Sequence, residues 1–255
     1  MNDGTMTTPT MQSVERVFEV VEVLWREDGA GPAAVAEALD VHRSTAHGYL
    51  RSLEAVGYAV NDGGTYELSY RFLDMGTRLQ YRNRVFQAAR EEISRLSRET
   101  EELPTLVVEE AGSAVILHQR PGANALELGT YSGMRTPLHT TASGKTILAH
   151  MPAERVDAIL DGGLERVTER TVTDPDRLRK RLATVREDGH AVDVDQQVVG
   201  MGTVAVPLHP DDDHVASLAI ACPSERIRNE SYQDELLGAL KESRNRVSIK
   251  YQYGR

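Results

Sequence analysis

The sequence has 255 residues, enough for one large or two modest domains with buried cores, and 39 acidic against 29 basic residues give it a formal net charge of −10. Only four of the basic residues are lysine, and this acid-rich, lysine-poor composition resembles that of halophilic proteins from salt-loading archaea. A single cysteine excludes an internal disulfide, and neither a run of 18 apolar residues nor a basic-then-apolar leader occurs, so we expect a cytoplasmic protein without a membrane span.

The first predicted helix follows a short polar stretch. Residues 1–10 are small and polar, and we expect them to be disordered. Ser13 is a candidate helix cap, and apolar side chains recur after it at helical spacing: Val14, Val17, Phe18, Val21, Leu24 and Trp25. We expect Trp25 to anchor the core rather than to stack on a nucleic-acid base.

Two short helical patterns separated by a tight break follow. The first opens at Pro32 and has Val35, Ala36 and Leu39 on its apolar face. The second runs from about Arg43 to Val56 and ends before Gly57. Its predicted buried positions are Ala46, Tyr49, Leu50, Leu53 and Val56, and the opposite face carries Arg43, Ser44, His47, Gly48 and Arg51.

A hairpin completes this unit. The runs 58–60 and 65–68 flank Asn61-Asp62-Gly63-Gly64, a sequence typical of a tight turn between two strands. Helix, turn, helix and β-wing is the order of a winged helix-turn-helix domain, which we predict over residues 11–74. In such a domain the second helix enters the DNA major groove.

The second helix has the side chains that DNA reading requires. Residues 42–53 contain two Arg, two His and no acid, which suits a helix that lies between two rows of phosphates. High acidity of the whole chain argues against a nucleic-acid partner, but binding depends on the local field. The predicted DNA contacts are Arg43, Ser44, Thr45, His47, Gly48, Tyr49, Arg51 and, in the wing, Gly63. The alternative is a surface helix that happens to be basic.

A helical stretch connects this unit to the rest of the chain. From Arg71 to Thr100 the pattern is helical in two pieces, and residues 75–90 are predicted to form a linker helix. Three arginines and no acid lie between Met75 and Ala89. This composition fits either a solvated linker or a connector that pairs subunits near the DNA backbone.

Beyond Pro104 the predicted order is strands, helices, strands and a final helix. This order is typical of an α+β domain with a mainly antiparallel sheet, predicted over residues 91–255. The predicted strands are 105–108, 114–118, 125–128, 191–194, 203–208 and 215–221. The predicted helices are 142–150, 154–160, 175–188 and 229–247.

The helix start at Ala142 is the predicted ligand site. Residues 142–146 imitate part of a phosphate-binding loop, but His139 stands where the full motif needs glycine. The backbone amides of Ala142, Ser143 and Gly144 are instead a candidate cradle for a small anion such as a carboxylate. Asp193 either points into a pocket or is an edge-strand charge that discourages sheet pairing.

The sequence contains fragments of catalytic and metal-binding patterns and no complete one. No two of the eight His lie at i and i+4, which argues against a zinc site. Cys222 is expected to be a small buried hydrophobe, and Asp211–Asp213 a solvated hairpin loop rather than a calcium site. We therefore expect no catalytic residue, no metal and no cofactor.

Several segments, taken in order, resemble the IclR type of transcriptional regulator. Arg43-Ser44-Thr45-Ala46-His47 with Gly57-Tyr58 resembles the recognition helix and the entry to the wing, and residues 68–76 resemble the segment after it. Thr136-Pro137-Leu138-His139-Thr140-Thr141-Ala142-Ser143-Gly144-Lys145 resembles the signature loop and helix start of the effector domain. Residues 171–175, residues 189–193 and Gly200 follow in the family's order.

The resemblance covers roughly residues 12–247 and implies a ligand-responsive regulator. It implies a winged helix-turn-helix, a helical linker and a GAF-like effector-binding domain. The implied partners are a palindromic double-stranded DNA operator, a second subunit in a homodimer or dimer of dimers, and a small, anionic effector such as a sugar acid, keto acid or aromatic acid. The implied effector-binding residues are Ala142, Ser143, Gly144, Asp193, Met201, Thr203, Ala219, Ala221 and Cys222.

Two departures from the family pattern affect these expectations. Gly48 stands where the family usually has Arg, and Arg51, one turn on, is the candidate replacement. Ala219 and Ala221 precede Pro223 where many members have Ser and Gly. Two rival functions are an enzyme built on the C-terminal domain and an architectural DNA-binding protein that needs no ligand.

Overall fold

The computed structural model describes residues 11–209 and 215–254, which form two compact units with a boundary between Leu79 and Gln80. The predicted disorder at residues 1–10 and the predicted loop at Asp211–Asp213 lie outside the described residues. Within the described ranges, no helix is both long enough and apolar enough to cross a bilayer.

The N-terminal unit is a winged helix-turn-helix, as predicted. Its helices are α1 (Gln12–Arg26), α2 (Pro32–Leu39) and α3 (Arg43–Ala55), followed by strands β1 (Ala59–Asp62) and β2 (Thr65–Leu68) and by α4 (Arg71–Arg82). The two strands pair antiparallel, and Ala30 forms a bridge to Tyr66 that ties the loop after α1 to the wing. Val20, Val35 and Leu50 are fully buried at the centre of this core.

Three sequence predictions about this unit are wrong. Trp25 is not a core anchor, because its side chain is 73% exposed. The cap of α1 is Met11 rather than Ser13, and Val56 is exposed beyond the end of α3. The predicted apolar stripe of α1 is only partly buried. Leu24 faces the core together with Val20 and Val23, which the predicted stripe omitted, while Val14, Phe18 and Trp25 are exposed.

The predicted linker over 75–90 is divided between two helices. The chain breaks at Asn83, whose side chain accepts a hydrogen bond from the backbone N–H of Phe86 and so caps α5 (Arg84–Thr100). α4 buries none of its residues, whereas α5 buries Phe86, Ile93 and Leu96 in the second unit.

The second unit has a six-stranded antiparallel sheet in the order β5-β4-β3-β8-β7-β6. The strands are β3 (Leu103–Glu110), β4 (Ser113–Gln119), β5 (Arg135–Pro137), β6 (Ala191–Val194), β7 (Met201–Leu208) and β8 (Ala216–Pro223). The helices that follow α5 are α6 (Ala142–His150), α7 (Ala153–Asp161), α8 (Pro175–Asp188), α9 (Ser224–Ile227) and α10 (Glu230–Tyr253). The predicted strand at 125–128 is not formed, and the short β5 pairs with β4 instead.

The two faces of this sheet pack against different helices. Leu218, Ile220 and Cys222 of β8 join the core formed with α5 and α10. Ala219, between them, joins the core formed with α6, α7 and α8. Because successive side chains of a strand point to opposite faces, this alternation decides which residues reach the α6 side of the sheet.

Candidate functional site

The exposed face of α3 is the candidate DNA-reading surface. Arg43, Ser44, Thr45, His47 and Gly48 are exposed, as the sequence predicts. The opposite face packs into the core through Ala46, Leu50 and Leu53, so α3 is held rigidly while its polar face stays free. A concave surface of about 510 Å³ lies between α3 and the wing, lined by residues that include Arg43, Ser44, His47, Asn61 and Gly64.

The residues of α3 that are predicted to contact DNA differ in their exposure and in their contacts within the protein. Tyr49 is half-buried against the core, so less of it is available than of its neighbours. Arg51 is 67% exposed, with its Nε 3.8 Å from a Glu54 carboxylate oxygen, a contact long enough to be given up. A Cβ on Gly48 would meet no atom within 4 Å, so an arginine at this position would have room.

The tip of the wing is built by two glycines. Gly63 and Gly64 have φ values of +58° and +98°, a region that favours glycine, and the Gly64 N–H donates to Asn61 Oδ1 at 2.9 Å. This closes a tight turn with Gly63 exposed at its tip. The backbone there can approach a phosphate without a side chain in the way.

A small cavity of about 100 Å³ lies on the α6 side of the large sheet. Four of the predicted effector-binding residues line it: Ser143, Met201, Thr203 and Ala221. The other described lining residues are Leu103, Thr105, Val107, Ile116, Leu128, Thr130, Met134, Thr136, Thr141, Gln197 and Val198. Of the fifteen described lining side chains in the two sets, none is ionisable and six carry hydroxyl groups. The sequence reasoning missed the residues contributed by β3, β4 and the loops, because only the folded sheet brings them together.

The predicted amide cradle is largely occupied by the protein itself. The Ala142 N–H donates to Asp193 Oδ2, and the Gly144 N–H donates to Thr141 Oγ1 at 3.0 Å. Gly144 is required for packing, because a Cβ there would overlap the backbone of Leu138. Of the three predicted residues, only Ser143 lines the cavity, so the cradle is not an open anion site in this structure.

Asp193 resolves the alternative left open by the sequence. Its side chain is only 1% exposed, so it is not a solvated edge charge. Asp193 pairs across the sheet with Thr203, which lines the cavity, and residues directly opposite one another share a face. Burial raises the pKa of Asp193 to about 6, and Lys145 and the Ala142 N–H act in the opposite direction.

Lys145 is the residue that the sequence reasoning missed. It is completely buried, and burial lowers the pKa of its ammonium group to about 8, although Asp193 acts in the opposite direction. Within the described part of the chain, neither Lys145 Nζ nor Asp193 Oδ1 has a hydrogen-bond partner. The available signal in the sequence was that Lys145 is followed by Thr146-Ile147-Leu148-Ala149, a run without charged residues. The structure buries all five residues, and a lysine is rarely enclosed without a partner.

Two other predicted site residues lie elsewhere. Cys222 points to the opposite face of the sheet, into the core with α5 and α10, because it follows Ala221 on the same strand. Burial raises the pKa of its thiol to about 12, so it is a buried hydrophobe, as composition suggested, and does not face the cavity. Ala219 packs against α6 without lining the cavity.

A wider groove borders the same region. It has a volume of about 830 Å³ and is lined by residues of the 166–174 segment, α8 and β6, with Arg177, Arg181 and Asp193 among them. Asp193 lines this groove rather than the cavity, although Thr203, its cross-strand neighbour, lines the cavity. No group of three or more potential metal ligands occurs among the described residues.

Comparison with known proteins covers nearly the whole chain. Residues 13–63 match the IclR helix-turn-helix domain, and residues 79–249 match the bacterial transcriptional regulator IclR C-terminal domain. The probable HTH-type transcriptional regulator ArcR of Halobacterium salinarum is 28% identical over 246 residues, 93% of each chain. The HTH-type transcriptional regulator KdgR of Escherichia coli K12 is 29% identical over 248 residues, 96% of this chain and 94% of that one.

A solved structure has the same fold. An IclR homologue from Microbacterium hydrocarbonoxydans, crystallised in complex with 4-hydroxybenzoate, superposes with a TM-score of 0.81 over 94% of this chain and 98% of its own, at 23% identity.

Proposed function

The chain belongs to the IclR family of transcriptional regulators, and from this premise we propose that it binds a palindromic operator as a homodimer and changes its operator affinity when a small carboxylate binds its effector domain. The observation that carries the proposal is the exposed face of α3, which has no acid over residues 43–53, in a chain whose second unit holds a cavity of about 100 Å³. It would act where its DNA is, in the cytoplasm.

The DNA-reading part rests on local charge rather than on the net charge of −10. In the high salt that this composition suits, the screening length falls to about 3 Å, so distant carboxylates contribute little. The gain from counterion release also shrinks in such salt, and direct contacts from Arg43, Ser44 and His47 must then carry more of the affinity.

The homodimer is supported by apolar side chains that the N-terminal unit leaves exposed. On α1 these include Phe18 and Trp25, and on α4 Leu73 and Leu79, with exposures between 61% and 73%. Several large apolar side chains exposed on each of two helices favour an interaction surface over isolated exposed residues. A second copy of the chain would cover them and would supply the second α3 that a palindromic operator requires.

The effector class is proposed from the size of the cavity. A cavity of about 150 Å³ holds benzene, and the cavity here has about 100 Å³. A short keto acid or a three-carbon sugar acid fits this volume, whereas a longer sugar acid, or an aromatic acid such as the 4-hydroxybenzoate bound by the homologue, would require the cavity to widen. We propose no enzymatic reaction, because the described residues around the cavity offer hydroxyl groups but no general base beside a nucleophile.

Operator binding is the direct test of this proposal. Bound fragments are selected from genomic DNA, and their affinity for the full-length protein is measured by fluorescence anisotropy at fixed salt. Arg43→Ala should weaken binding by about 1–3 kcal/mol if Arg43 reads a base edge. Arg26→Ala, which removes an exposed arginine from α1, is the matched control. Equal affinities for the two variants would refute the assignment of α3.

Ligand response is tested on the same complex. Short keto acids, sugar acids and aromatic acids are added to the protein and screened by thermal unfolding. A ligand at a hundred times its dissociation constant should add about 2.7 kcal/mol of stability. A stabilising acid should also change operator affinity, since coupling between two binding sites is reciprocal. A stabilising acid without effect on operator affinity would contradict the proposed regulation.

A further inference from the structure

The first turn of α6 already holds a carboxylate that belongs to the chain. Asp193 Oδ2 accepts the hydrogen bond of the Ala142 N–H at the positive end of the helix. The adjacent residue, Ser143, lines the cavity, and so does Thr203, the cross-strand neighbour of Asp193. The Asp193 carboxylate thus occupies the amide that a carboxylate in the cavity would be expected to use.

A second buried group is available to receive Asp193. Lys145 lies three residues after Ala142 and therefore on the same face of α6, and long side chains on a helix lean toward its N-terminus. Its Nζ is completely buried and has no hydrogen-bond partner within the described residues. The second carboxylate oxygen of Asp193, Oδ1, is likewise buried and without a partner there. An enclosed ammonium group without an acceptor is costly. In a purely structural ion pair, the carboxylate would normally contact the ammonium group directly.

We propose that Asp193 is an internal stand-in for the carboxylate of the effector. When the effector binds, its carboxylate takes over the Ala142 N–H, and Asp193 moves to the Nζ of Lys145. This inference rests on the proposed function, since it describes how the effector cavity opens to an acid.

The exchange adds the negative charge of the effector but gives every charged group of the site a partner. One carboxylate replaces another at the helix end, so the favourable interaction with the amide is kept. Asp193 gains a hydrogen-bonded cation in return, and Lys145 gains its missing acceptor. The two positions of Asp193 are therefore discrete alternatives, and a ligand that favours one of them selects an arrangement of α6 against β6 and β7.

A vacant stand-in position should bind a simple carboxylate. The test uses the full-length protein with Asp193→Ala and measures thermal unfolding with added acetate, at constant ionic strength and chloride. Acetamide, the neutral isostere of acetate, is the control ligand. Asp234→Ala, which removes an exposed carboxylate from α10, is the control variant.

The expected result is a saturable rise in the unfolding temperature of Asp193→Ala with acetate and none with acetamide. The wild type and Asp234→Ala should need at least about tenfold more acetate, because the attached carboxylate competes at a high effective concentration. Asp193→Asn covers the case in which the alanine variant does not fold. Its neutral oxygen still accepts from Ala142 but holds the N–H less tightly, so its response should be intermediate.

Two outcomes would overturn the proposal. The first is that acetate raises the unfolding temperature of neither Asp193→Ala nor Asp193→Asn. The second is that the wild type responds to acetate as strongly as Asp193→Ala. Adding Lys145→Met to Asp193→Ala should weaken the acetate response, because the site loses its cation; an unchanged response would overturn the role of Lys145. The acetate test contains no DNA and so is independent of the operator test. If the Asp193 variants do not respond to acetate while an acid does change operator affinity, this inference is overturned and the proposed function stands.

Discussion

Replacing Lys145 with methionine should flatten the rise of the protein's stability between about pH 7 and pH 9.5. Burial lowers the pKa of Lys145 from 10.5 to about 8 in the folded protein. Between these values the unfolded chain holds a proton that the folded chain has released, so stability rises with pH. The full difference corresponds to about 3 kcal/mol, of which about 2 kcal/mol falls between pH 7 and 9.5.

The neighbouring charges do not reverse this slope. Asp193, with a pKa of about 6, is ionised throughout the window, and burial keeps the pKa of His139 below its ordinary value, so that it titrates beneath the window. Arg181, the other cation near Lys145, stays charged. In Lys145→Met the Asp193 pKa rises further, because the opposing cation is gone, and stability then falls as pH increases through that pKa.

Urea unfolding at a series of pH values, in constant high salt, measures the effect. The difference in unfolding free energy between the wild type and Lys145→Met should grow by at least about 2 kcal/mol from pH 7 to 9.5. Lys180→Met removes an exposed lysine from α8 and should leave the slope unchanged. A slope for Lys145→Met that matches the wild type would refute the account of Lys145 as a buried, destabilised cation.

Three further predictions concern the two packed units. Trp25→Glu should convert a dimer to a monomer in sedimentation velocity while far-UV circular dichroism stays unchanged, because the side chain is 73% exposed; a dimer that survives would place the interface elsewhere. Leu50→Ala should destabilise the N-terminal unit by about 2–5 kcal/mol in denaturant unfolding, whereas Val56→Ala, at an exposed site, should stay within about 0.5 kcal/mol; similar losses would contradict the observed packing of α3. Cys222 should resist thiol reagents in the native protein and react once it is unfolded, since burial raises its pKa to about 12; fast native labelling would show that β8 is more open than described.

Local patterns were sufficient to place the helices, the wing and the polar face of α3 in the DNA-binding unit. Arg43 and Leu50 were assigned to opposite faces of α3 because a helix repeats every 3.6 residues, and both assignments are confirmed by the structure. The prediction that Trp25 anchors the core was wrong for a physical reason. Periodicity identifies an apolar stripe but does not tell whether the chain itself or another molecule covers it.

At the effector site, too, the local features were predictable from sequence and the long-range contacts were not. The starts of α6 at Ala142 and of α8 at Pro175 follow from local sequence patterns, and both are confirmed. The role of Ala142 as an anion cradle is not local, because its amide is taken by Asp193, 51 residues further along the chain.

The sequence by itself determined the class of the protein, most of the order of its elements and the polar face of α3. These depend on periodicity, capping and turn residues within a few positions of one another. Only the tertiary structure decided that Cys222 faces away from the cavity, that Asp193 fills the helix end, and that Lys145 is enclosed beside it. The register of β6 on β7 and the packing of α6 over the sheet bring these distant residues together, and no local rule specifies either.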